Sequence, residues 1–458
     1  MFKKILIANR GEIAIRVMRT CREMGIETVM VFSTADREAL HTQLAAEAVC
    51  IGGPRPEASY LNMPCILQAA LSTGCDAIHP GYGFLAESAE FAELTDAAGL
   101  TFIGPRAETI RQLGDKANAR QLMSEAGLQT IPGSPGLLSS VEEALSVADE
   151  IGYPVLLKAT AGGGGRGMRR IDKPEEMEEG LQSARREAKL GFGDEGVYLE
   201  KLILNPKHLE IQILADSHGE IIQLGERDCS LQRKRQKMIE ESPCSLISDD
   251  LRHQLGEAAI QAGRAANYLG AGTVEFILAP TGEFYFMEVN TRIQVEHPVT
   301  EVLTGLDLVR EQIRIASGAK LAMTQAEVKL RGHAIECRIN AESPTNGFRP
   351  SPGRIEQFNL PGGFSVRVDS AMYSGCEIPP HYDSLIAKLI VHGSSRRDAI
   401  RRMRRCLEEL IVDGVDTNVG LLYVLLFEND VIRGDYDTGY VEDNMEQLLK
   451  YASLMESE

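Results

Sequence analysis

Acidic and amide side chains recur along a predicted β-hairpin in a pattern that suits a divalent metal ion. Residues 271–278 and 283–289 are predicted strands, and the Pro and Gly between them favour a tight turn. With a two-residue loop, Glu275 and Glu288 become diagonal neighbours on one face, roughly 7–8 Å apart between Cα atoms. Asn290 shares that face, since side chains alternate along a strand. Two carboxylates and an amide oxygen therefore predict a Mg²⁺ site.

A polar row continues past this hairpin. Residues 284–287 are apolar in succession, so the strand emerges from a core. A solvated edge strand is the alternative, but a polar row that leaves a buried strand favours the wall of a cleft. At period two the row contains Glu288, Asn290, Arg292, Gln294 and Glu296. We expect Arg292 and Glu296 to meet a second substrate beyond the metal.

A glycine-rich loop follows the predicted strand Val155–Ala159. Five of the six residues 162–167 are glycine, and Lys158 and Arg166 lie near the two ends of the run. Backbone N–H groups can approach an anion closely where no Cβ intervenes, and a lysine at the strand end could reach a phosphate. The alternative is a flexible surface loop. The charges at both ends favour a mobile lid that covers phosphates.

Charge limits the partners. The chain has 48 basic and 66 acidic residues, a net charge of −18, which disfavours binding to a nucleic-acid backbone. The basic run Gln232–Lys237 therefore predicts a local anion site, with a solvated loop or a nuclear-localisation-like run as alternatives. In a second basic run, Arg396–Arg405, the residues Arg397, Arg401, Arg404 and Arg405 fit a solvated helix face, and the run is assigned no chemistry. Lid, metal hairpin and basic run together predict a nucleotide site.

The elements that must position these residues alternate between strand and helix. Over residues 1–112, short apolar runs alternate with helical stripes, which predicts a parallel sheet with right-handed crossovers. Its first turn, Ala8–Ile13, lacks the glycine spacing of a dinucleotide site, so we expect a supporting role for this sheet. Pro and Gly residues at 131–136 form a linker, and the pattern as far as residue 202 predicts a small α/β unit.

Cysteine spacing and hydropathy restrict the compartment. None of the nine cysteines forms a C-x-x-C pair, and the segments around Cys21, Cys50 and Cys337 are apolar, which predicts buried thiols in a reducing cytoplasm. The N-terminal apolar run is too short for a signal peptide. The apolar run Val419–Phe427 has nine residues, and crossing a bilayer needs about 20. We expect a cytoplasmic protein with no membrane partner.

Long motifs carry a resemblance to a known family. They are Ile5–Ala14, His79–Leu85, Gly114–Lys116, the glycine loop, Glu226–Ser230, Glu288–His297 and Asp413–Asn418. In these motifs the sequence resembles biotin carboxylase, the ATP-grasp component of acetyl-CoA carboxylase. The resemblance implies a multidomain α/β and α+β fold. Its parts would be an N-terminal Rossmann-like domain (1–112), an ATP-grasp domain (113–330, with a mobile lid subdomain at about 131–202) and a C-terminal biotin carboxylase domain (331–446).

The resemblance also implies roles for individual residues. The implied ATP-binding residues are Lys116, Lys158, Gly164, Gly165, Glu200, Lys201, Leu202, Ile203, His208, Gln232, Arg235, Glu275 and Glu288. The implied metal ligands are Glu275, Glu288 and Asn290. The implied bicarbonate- and biotin-binding residues are Lys237, Arg292, Gln294, Val295 and Arg338, and Glu296 is the implied general base. Lys237, Arg292, Glu296 and Arg338 form the implied catalytic set. Arg235 stands where the family pattern often has His or Asn.

The implied reaction is the carboxylation of biotin by ATP and bicarbonate, with Mg²⁺ or Mn²⁺, through carboxyphosphate. The sequence has no Met-Lys-Met biotin-attachment motif and no carboxyltransferase segment, so we expect a separate biotin carboxyl carrier protein and separate carboxyltransferase subunits. The family implies a homodimer. Three alternatives stay open: a subunit of another acyl-CoA or 2-oxo-acid carboxylase, a different ATP-grasp carboxylate ligase, and a nucleotide-binding regulatory module.

Overall fold

The computed structural model describes residues 1–159, 168–193 and 195–455, and its first part is a sheet covered by helices. The elements are β1 (Lys4–Ile7), α1 (Gly11–Glu23), β2 (Glu27–Ser33), α2 (Leu40–Gln43), β3 (Glu47–Gly52), α3 (Met63–Ser72), β4 (Ala77–His79), α4 (Ala89–Ala97), β5 (Thr101–Phe102) and α5 (Ala107–Gly114). All five strands are parallel, in the order β3-β2-β1-β4-β5. This confirms the predicted parallel sheet.

The central strand β1 directs two loops to the same edge of the sheet. Ile5–Ile7 are fully buried, as expected of a parallel strand with both faces covered. Because β1 and β4 are parallel neighbours, the loops that follow them leave the same edge. Asn9 ties these loops together, since its side-chain amide donates to the carbonyls of Pro80 and Tyr82, both at 2.7 Å.

The edge strand β3 is not among the strands that the sequence predicts. Small, charged and apolar residues are mixed in its sequence, and the strand lies at the margin of the sheet. Cys50 lies on this strand with an exposed thiol, so the expectation of a buried thiol is wrong there. Cys21 and Cys337 are buried, as predicted.

A small unit with its own core follows. The helix α6 (Lys116–Glu125) precedes this unit. The unit itself contains α7 (Val141–Ile151), β6 (Val155–Ala159), β7 (Met168–Ile171), α8 (Met177–Phe192) and β8 (Val197–Lys201). The strands form an antiparallel sheet in the order β7-β6-β8. Ala144 and Ala148 of α7 pack with Leu181 and Ala184 of α8 in a core that also includes Leu157. The three strands, with α7 and α8, therefore form an α/β unit with its own core.

The rest of the chain builds one large antiparallel sheet and its flanking helices. The elements are β9 (Lys207–Ala215), β10 (Ile221–Arg233), β11 (Gln236–Ser242), α9 (Asp249–Ala265), β12 (Gly270–Leu278), β13 (Phe284–Asn290), α10 (His297–Thr304), α11 (Leu308–Ala316), β14 (His333–Asn340), β15 (Glu342–Ser343), β16 (Arg349–Pro350), β17 (Gly353–Arg354), β18 (Gln357–Asn359), β19 (Val366–Ser370), β20 (Glu377–Ile378), β21 (Leu385–Gly393), α12 (Arg396–Glu409), β22 (Ile411–Asp413), α13 (Val419–Leu425), α14 (Asn429–Arg433), α15 (Tyr440–Asp443) and α16 (Met445–Met455). Short 3-10 helices span Thr34–Asp36, Pro56–Ala58, Pro174–Glu176, Gln325–Glu327 and Pro344–Asn346.

Eight strands pair in the order β13-β12-β9-β10-β11-β14-β21-β19. The pairing of β11 with β14 therefore crosses the predicted domain boundary between residues 330 and 331. Arg338 and Lys388, which face each other on β14 and β21, are thereby joined to the same sheet as the carboxylate hairpin. Within the described ranges, no helix combines the length and apolar character that a membrane crossing requires.

The β12–β13 hairpin pairs in a different register from the predicted one. Glu275 lies directly opposite Glu288, and a bulge follows Glu275. The connection is longer than two residues, because the Ala279 N–H donates to the Glu283 carbonyl. β13 also ends at Asn290, so the polar row beyond it is a loop that leads into α10. The two carboxylates are direct neighbours instead of diagonal ones.

Two arginines of α12, Arg396 and Arg404, have structural partners, and Arg404 belongs to the predicted solvated face. Arg396 donates to both carboxylate oxygens of Glu241, at 2.7 and 3.0 Å. The Arg404 guanidinium lies 3.8 Å from the centroid of the Phe427 ring. Arg401 is exposed, as predicted. The prediction of a solvated face is wrong for Arg404, because its guanidinium packs against an aromatic ring.

Candidate active site

A cavity of about 1590 Å³ lies between the N-terminal sheet, the small unit and the eight-stranded sheet. The predicted site residues that line it are Lys116, Lys158, Glu200, Lys201, Leu202, Ile203, His208, Gln232, Arg235, Lys237, Glu275, Glu288, Asn290, Arg292, Gln294, Val295 and Arg338. Glu296 lies beneath the lining and pairs with Lys237 and Arg338. Gly164 and Gly165 lie outside the described residues.

Strand alternation places the polar residues on one side of the large sheet. On β9, Leu209 and Ile211 belong to the apolar core, while His208 and Glu210 pair with site residues. On β14, the Arg338 side chain faces the site in the same way. Apolar and polar side chains alternate in this way when one face of a strand packs in a core and the other face meets charged residues.

Glu296 is fully buried between two cations. Its Oε1 accepts from Lys237 Nζ at 2.6 Å, and its Oε2 accepts from Arg338 Nη2 at 2.8 Å. Burial alone raises the pKa of Glu296, but the charges of Lys237 and Arg338 outweigh burial and hold the pKa well below its ordinary value. Glu296 is therefore a carboxylate at neutral pH, the form that a general base requires.

Lys237 links this carboxylate to the metal hairpin. Its Nζ donates to Glu210 Oε2 at 2.5 Å and to Glu275 Oε1 at 3.2 Å. Burial lowers the pKa of Lys237, but Cys229 and the surrounding carboxylates, among them Glu296, outweigh burial and raise the pKa well above its ordinary value. The lysine therefore stays charged, and it is the one cation shared by three carboxylates in the described part of the site.

Glu275 and Glu288 present two carboxylates beside this lysine. Glu275 accepts hydrogen bonds from Asn290 Nδ2 at 2.8 Å and from His208 Nε2 at 2.9 Å. Glu288 Oε2 lies 3.4 Å from Lys116 Nζ. Burial raises the pKa of Glu275, but the neighbouring cations outweigh burial and hold the pKa well below its ordinary value. Glu275 therefore offers a charged oxygen ligand to a hard cation.

Arg292 is held by residues from two parts of the chain. Its guanidinium donates to Glu87 Oε2 at 2.8 Å, to Gln294 Oε1 at 2.9 Å and to Asn290 Oδ1 at 3.3 Å. Glu87 also accepts from the backbone N–H of Thr291 at 3.1 Å. The N-terminal region thereby anchors the loop between β13 and α10.

The small unit contributes a second group of charges. Lys158 forms an ion pair with Glu200, and Arg120 Nη1 lies 3.7 Å from the same carboxylate. Lys201 Nζ donates to the carbonyls of residues 152–153 at 2.8 and 3.0 Å. Lys158 lines the cavity, whereas the Lys201 side chain is hydrogen-bonded within the small unit.

One end of the cavity is apolar. Ile203 and Ile277 pack against a buried cluster of Ile131, Ala279 and Tyr285, and Ile131, Ile203 and Ile277 reach the cavity wall. An apolar slot next to polar backbone suits a planar base. Leu202 precedes Ile203 on this wall.

Arg235 lies at the tip of the β10–β11 hairpin. Lys234 and Arg235 both have left-handed backbone, with φ of 46° and 65°. The Lys234 N–H donates to Glu442 Oε1 at 2.5 Å, and the Arg235 guanidinium contacts the sulfur of Met168. Gln232, nearer the sheet, is buried. The hairpin tip therefore spans the gap between β7 and α15.

The site contains several residues that the sequence analysis does not identify. Glu210 pairs with Lys237, Glu87 pairs with Arg292, and Glu240 Oε1 accepts from Arg338 Nε at 2.6 Å. The N-terminal sheet also lines the cavity, through Asn9–Ile13 and Tyr82–Phe84, so its part is larger than support alone. Strand alternation after His208 could have indicated Glu210, but no local signal marks Glu87 or Glu240.

Family models match three consecutive parts of the chain. Residues 1–110 match "Biotin carboxylase, N-terminal domain". Residues 115–324 match "Carbamoyl-phosphate synthase L chain, ATP binding domain", and residues 336–443 match "Biotin carboxylase C-terminal domain".

Two curated relatives match over nearly their whole length. A biotin carboxylase of Nostoc sp. is 55% identical over 442 residues, which are 96% of this chain and 99% of the relative. Biotin carboxylase 1 of Bacillus subtilis is 53% identical over 443 residues, with 96% and 98% covered.

A solved structure supports the same assignment. The biotin carboxylase domain dimer of the Hydrogenobacter thermophilus 2-oxoglutarate carboxylase, solved with MgADP, ADP and bicarbonate, has a TM-score of 0.94 and 49% identity. The alignment covers 98% of this chain and 99% of that one. With the predicted fold class and enzyme class thus confirmed, the chain belongs to the biotin carboxylase family of ATP-dependent ligases.

Proposed function

We propose that the chain carboxylates biotin, held on a separate carrier protein, with ATP and bicarbonate, as the first half-reaction of acetyl-CoA carboxylase. The observation that carries this proposal is the ionised Glu296 between Lys237 and Arg338, with Glu275 on the other side of Lys237. A base there lies between carboxylates that suit a metal nucleotide and an arginine that suits an oxyanion. The membership of the biotin carboxylase family supports the same reaction.

Mg²⁺, or Mn²⁺ in its place, fits the hairpin face. Glu275, Glu288 and Asn290 supply oxygen atoms, the ligand type that Mg²⁺ prefers, and the cavity leaves room for phosphate oxygens. The Glu288 side chain is 36% exposed, so it can turn from Lys116 towards a cation. When bound, the metal would offset phosphate charge during phosphoryl transfer.

The remaining nucleotide contacts are assigned by position in the cavity. Lys116 and Lys158 would bind phosphates, and Gly164 and Gly165 would cover them. The adenine would lie against the apolar wall beside Ile203. Glu200, Lys201 and Leu202 would form the hinge on that wall, while His208, Gln232 and Arg235 would lie along the nucleotide.

Bicarbonate would bind beside Glu296. Arg292, Lys237 and Gln294 offer donors to its oxygens, and the Val295 backbone borders the same place. Glu296 takes the proton from the bicarbonate hydroxyl, and the freed oxygen attacks the γ-phosphorus of ATP. ADP leaves, and carboxyphosphate remains in the cavity, where exclusion of water prevents its hydrolysis.

Biotin is the second substrate of this subunit. Carboxyphosphate would release CO₂ and phosphate, and the phosphate would take the proton from the ureido N1, which then bonds to CO₂. Arg338 would stabilise the negative charge that develops on the ureido oxygen. Glu240 and Glu296 hold the guanidinium in position for this role.

The assembly follows from the same proposal. The parts would be residues 1–112, 113–330 with a lid at about 131–202, and 331–446. The chain would act as a homodimer with a biotin carboxyl carrier protein and carboxyltransferase subunits, and the related Hydrogenobacter domain, itself a dimer, supports the homodimer. A cytoplasmic location is part of the proposal, because all nine cysteines lie within the described residues and are free thiols.

One experiment tests the activity and its alternatives. ADP release should require bicarbonate, and free biotin should stimulate it. ATP cleavage that biotin does not affect would favour a different ATP-grasp ligase, and no cleavage would favour a regulatory module. Because the Hydrogenobacter relative belongs to a 2-oxoglutarate carboxylase, reconstitution with carrier and carboxyltransferase subunits, assayed with acetyl-CoA and with 2-oxo acids, distinguishes the two partnerships.

A further inference from the structure

Lys388 is a fully buried lysine of β21 that contacts three parts of the chain. Its Nζ donates to the Val295 carbonyl at 2.9 Å and lies 3.0 Å from Glu12 Oε1 and 3.9 Å from Asp369 Oδ2. Glu12 belongs to the first turn of α1, and Val295 directly precedes Glu296. One ammonium group therefore joins the N-terminal sheet, the loop before α10 and the C-terminal strands.

The ammonium keeps its charge in this buried position. Burial lowers the pKa of Lys388, but Glu12, Glu336 and Asp369 outweigh burial and raise it above its ordinary value. Both carboxyl oxygens of Glu336 lack a hydrogen-bond partner among the described residues, and burial raises the pKa of Glu336 well above its ordinary value. The two carboxyl groups that approach the ammonium are those of Glu12, at 3.0 Å, and Asp369, at 3.9 Å.

The contact with Val295 acts on the peptide unit that leads into the base. The Val295 carbonyl and the Glu296 N–H belong to one planar peptide, so a donor that fixes the carbonyl also fixes the start of Glu296. A charged donor forms the stronger hydrogen bond. At the other end of the residue, Lys237 and Arg338 hold the carboxylate. Lys388 therefore restrains the backbone of Glu296, while Lys237 and Arg338 restrain its side chain.

We propose that Lys388 is a positioning residue for Glu296, and that its ion pair with Glu12 links the position of the base to the packing of α1 on the C-terminal strands. The inference rests on the proposed function, because it takes bicarbonate as the substrate that Glu296 deprotonates. Loss of the ammonium should therefore impair the use of bicarbonate and leave the binding of ATP unchanged, since the nucleotide contacts lie on other elements.

The test compares the buried Lys388 with the half-buried Arg396, another ion-paired cation of the C-terminal part. Lys388→Met removes the ammonium from beneath Glu296, and Arg396→Met removes a guanidinium from Glu241, away from the cavity. We expect Lys388→Met to lower kcat/KM for bicarbonate by roughly 10²-fold, as a small misplacement of a catalytic group does, with KM for ATP within about twofold. Arg396→Met should lower Tm and leave both kinetic constants at the parental values. Amide hydrogen exchange around residues 294–298 should rise in Lys388→Met alone.

A second variant keeps the inference testable if Lys388→Met does not fold. Lys388→Met/Glu12→Gln also removes the carboxylate that would be left unpaired, and the same loss for bicarbonate is expected. A folded variant with parental bicarbonate kinetics, or with equal losses for bicarbonate and ATP, would overturn the role of Lys388. A parental enzyme that cleaves ATP without any need for bicarbonate would overturn the proposed function itself, and the inference with it.

Discussion

Arg338 Nη2 lies 2.8 Å from Glu296 Oε2, so the arginine proposed to serve biotin is in direct contact with the base proposed to serve bicarbonate. Each residue also has an independent partner, Glu240 for the arginine and Lys237 for the carboxylate. Removing either residue therefore leaves the other with one ionic partner. The two substitutions can be compared directly because neither leaves an isolated buried charge.

The two residues should fail at different steps. Glu296→Ala should reduce bicarbonate-dependent ATP cleavage and biotin carboxylation together, by about 10²–10⁴-fold, since no carboxyphosphate forms. Arg338→Gln should reduce carboxylation more than ATP cleavage. The measurement is the ratio of carboxybiotin formed to ADP released, with both variants in one buffer. A ratio that falls for Glu296→Ala and stays parental for Arg338→Gln would reverse the two assignments.

The carboxylate pair on the hairpin should be essential for the metal nucleotide. Glu288→Lys places a cation directly opposite Glu275, and we expect the rate of ATP cleavage to fall by several orders of magnitude. Glu283→Lys makes the same charge change at the exposed residue that precedes β13 and serves as the control. The Mg²⁺ dependence of ADP release measures both. Near-parental cleavage by Glu288→Lys would remove Glu288 from the metal site.

The glycine loop should govern nucleotide binding. Replacement of Gly164 and Gly165 by Val should raise the apparent KM for ATP and slow turnover, because a Cβ obstructs close approach of the backbone to an anion. Gly136→Val is a matched control, since a Cβ built at Gly136 meets no atom within 4 Å. Steady-state kinetics and circular dichroism give the answer. Parental kinetics in the folded Gly164 and Gly165 variant would contradict the lid assignment.

Stability should decline in acid through Glu241. Burial raises the pKa of this carboxyl, but the hydrogen bond from His333 and the charge of Arg396 outweigh burial and hold the pKa well below the ordinary 4.5. The unfolded chain therefore takes up the proton first, so the stabilisation is complete above about pH 4.5 and falls by about 1.4 kcal/mol per pH unit below it. Denaturant unfolding of the parent and of Glu241→Gln at pH 6 and pH 3.5 measures this.

The difference in unfolding free energy between parent and Glu241→Gln should shrink on acidification. The exposed Glu377 lies in the same C-terminal part, and Glu377→Gln should show no such change. An equal difference for Glu241→Gln at both pH values would exclude Glu241 as the source of the acid sensitivity.

The sequence predicts those parts of the site that local pattern controls. Strand periodicity and turn chemistry place Glu275, Glu288 and Asn290 together, although the partner of Glu275 is two residues away from the predicted one. The register could not be predicted because the loop has one residue more than a two-residue turn and a bulge follows Glu275. Lys116, His208 and Arg338 are indicated by family resemblance alone.

Partners that are distant along the chain could not be predicted. Glu87 reaches Arg292 from 205 residues away, and Glu240 reaches Arg338 from 98 residues away. No periodicity links such positions, since the contacts depend on how complete sheets pack. The same holds for Arg396, whose partner Glu241 lies 155 residues earlier in the chain.

The pairing of β11 with β14 has a consequence for protein engineering. A fragment that stops at residue 330 would expose the seven-residue edge of β11, and an uncovered edge strand invites pairing with other chains. Such a fragment would also lose Arg338 and Lys388, and Lys237 would remain as a partner of Glu296. A chimaera with another carboxylase should therefore exchange β9–β14 and β21 as a single cassette, because one sheet takes its strands from both sides of the predicted domain boundary.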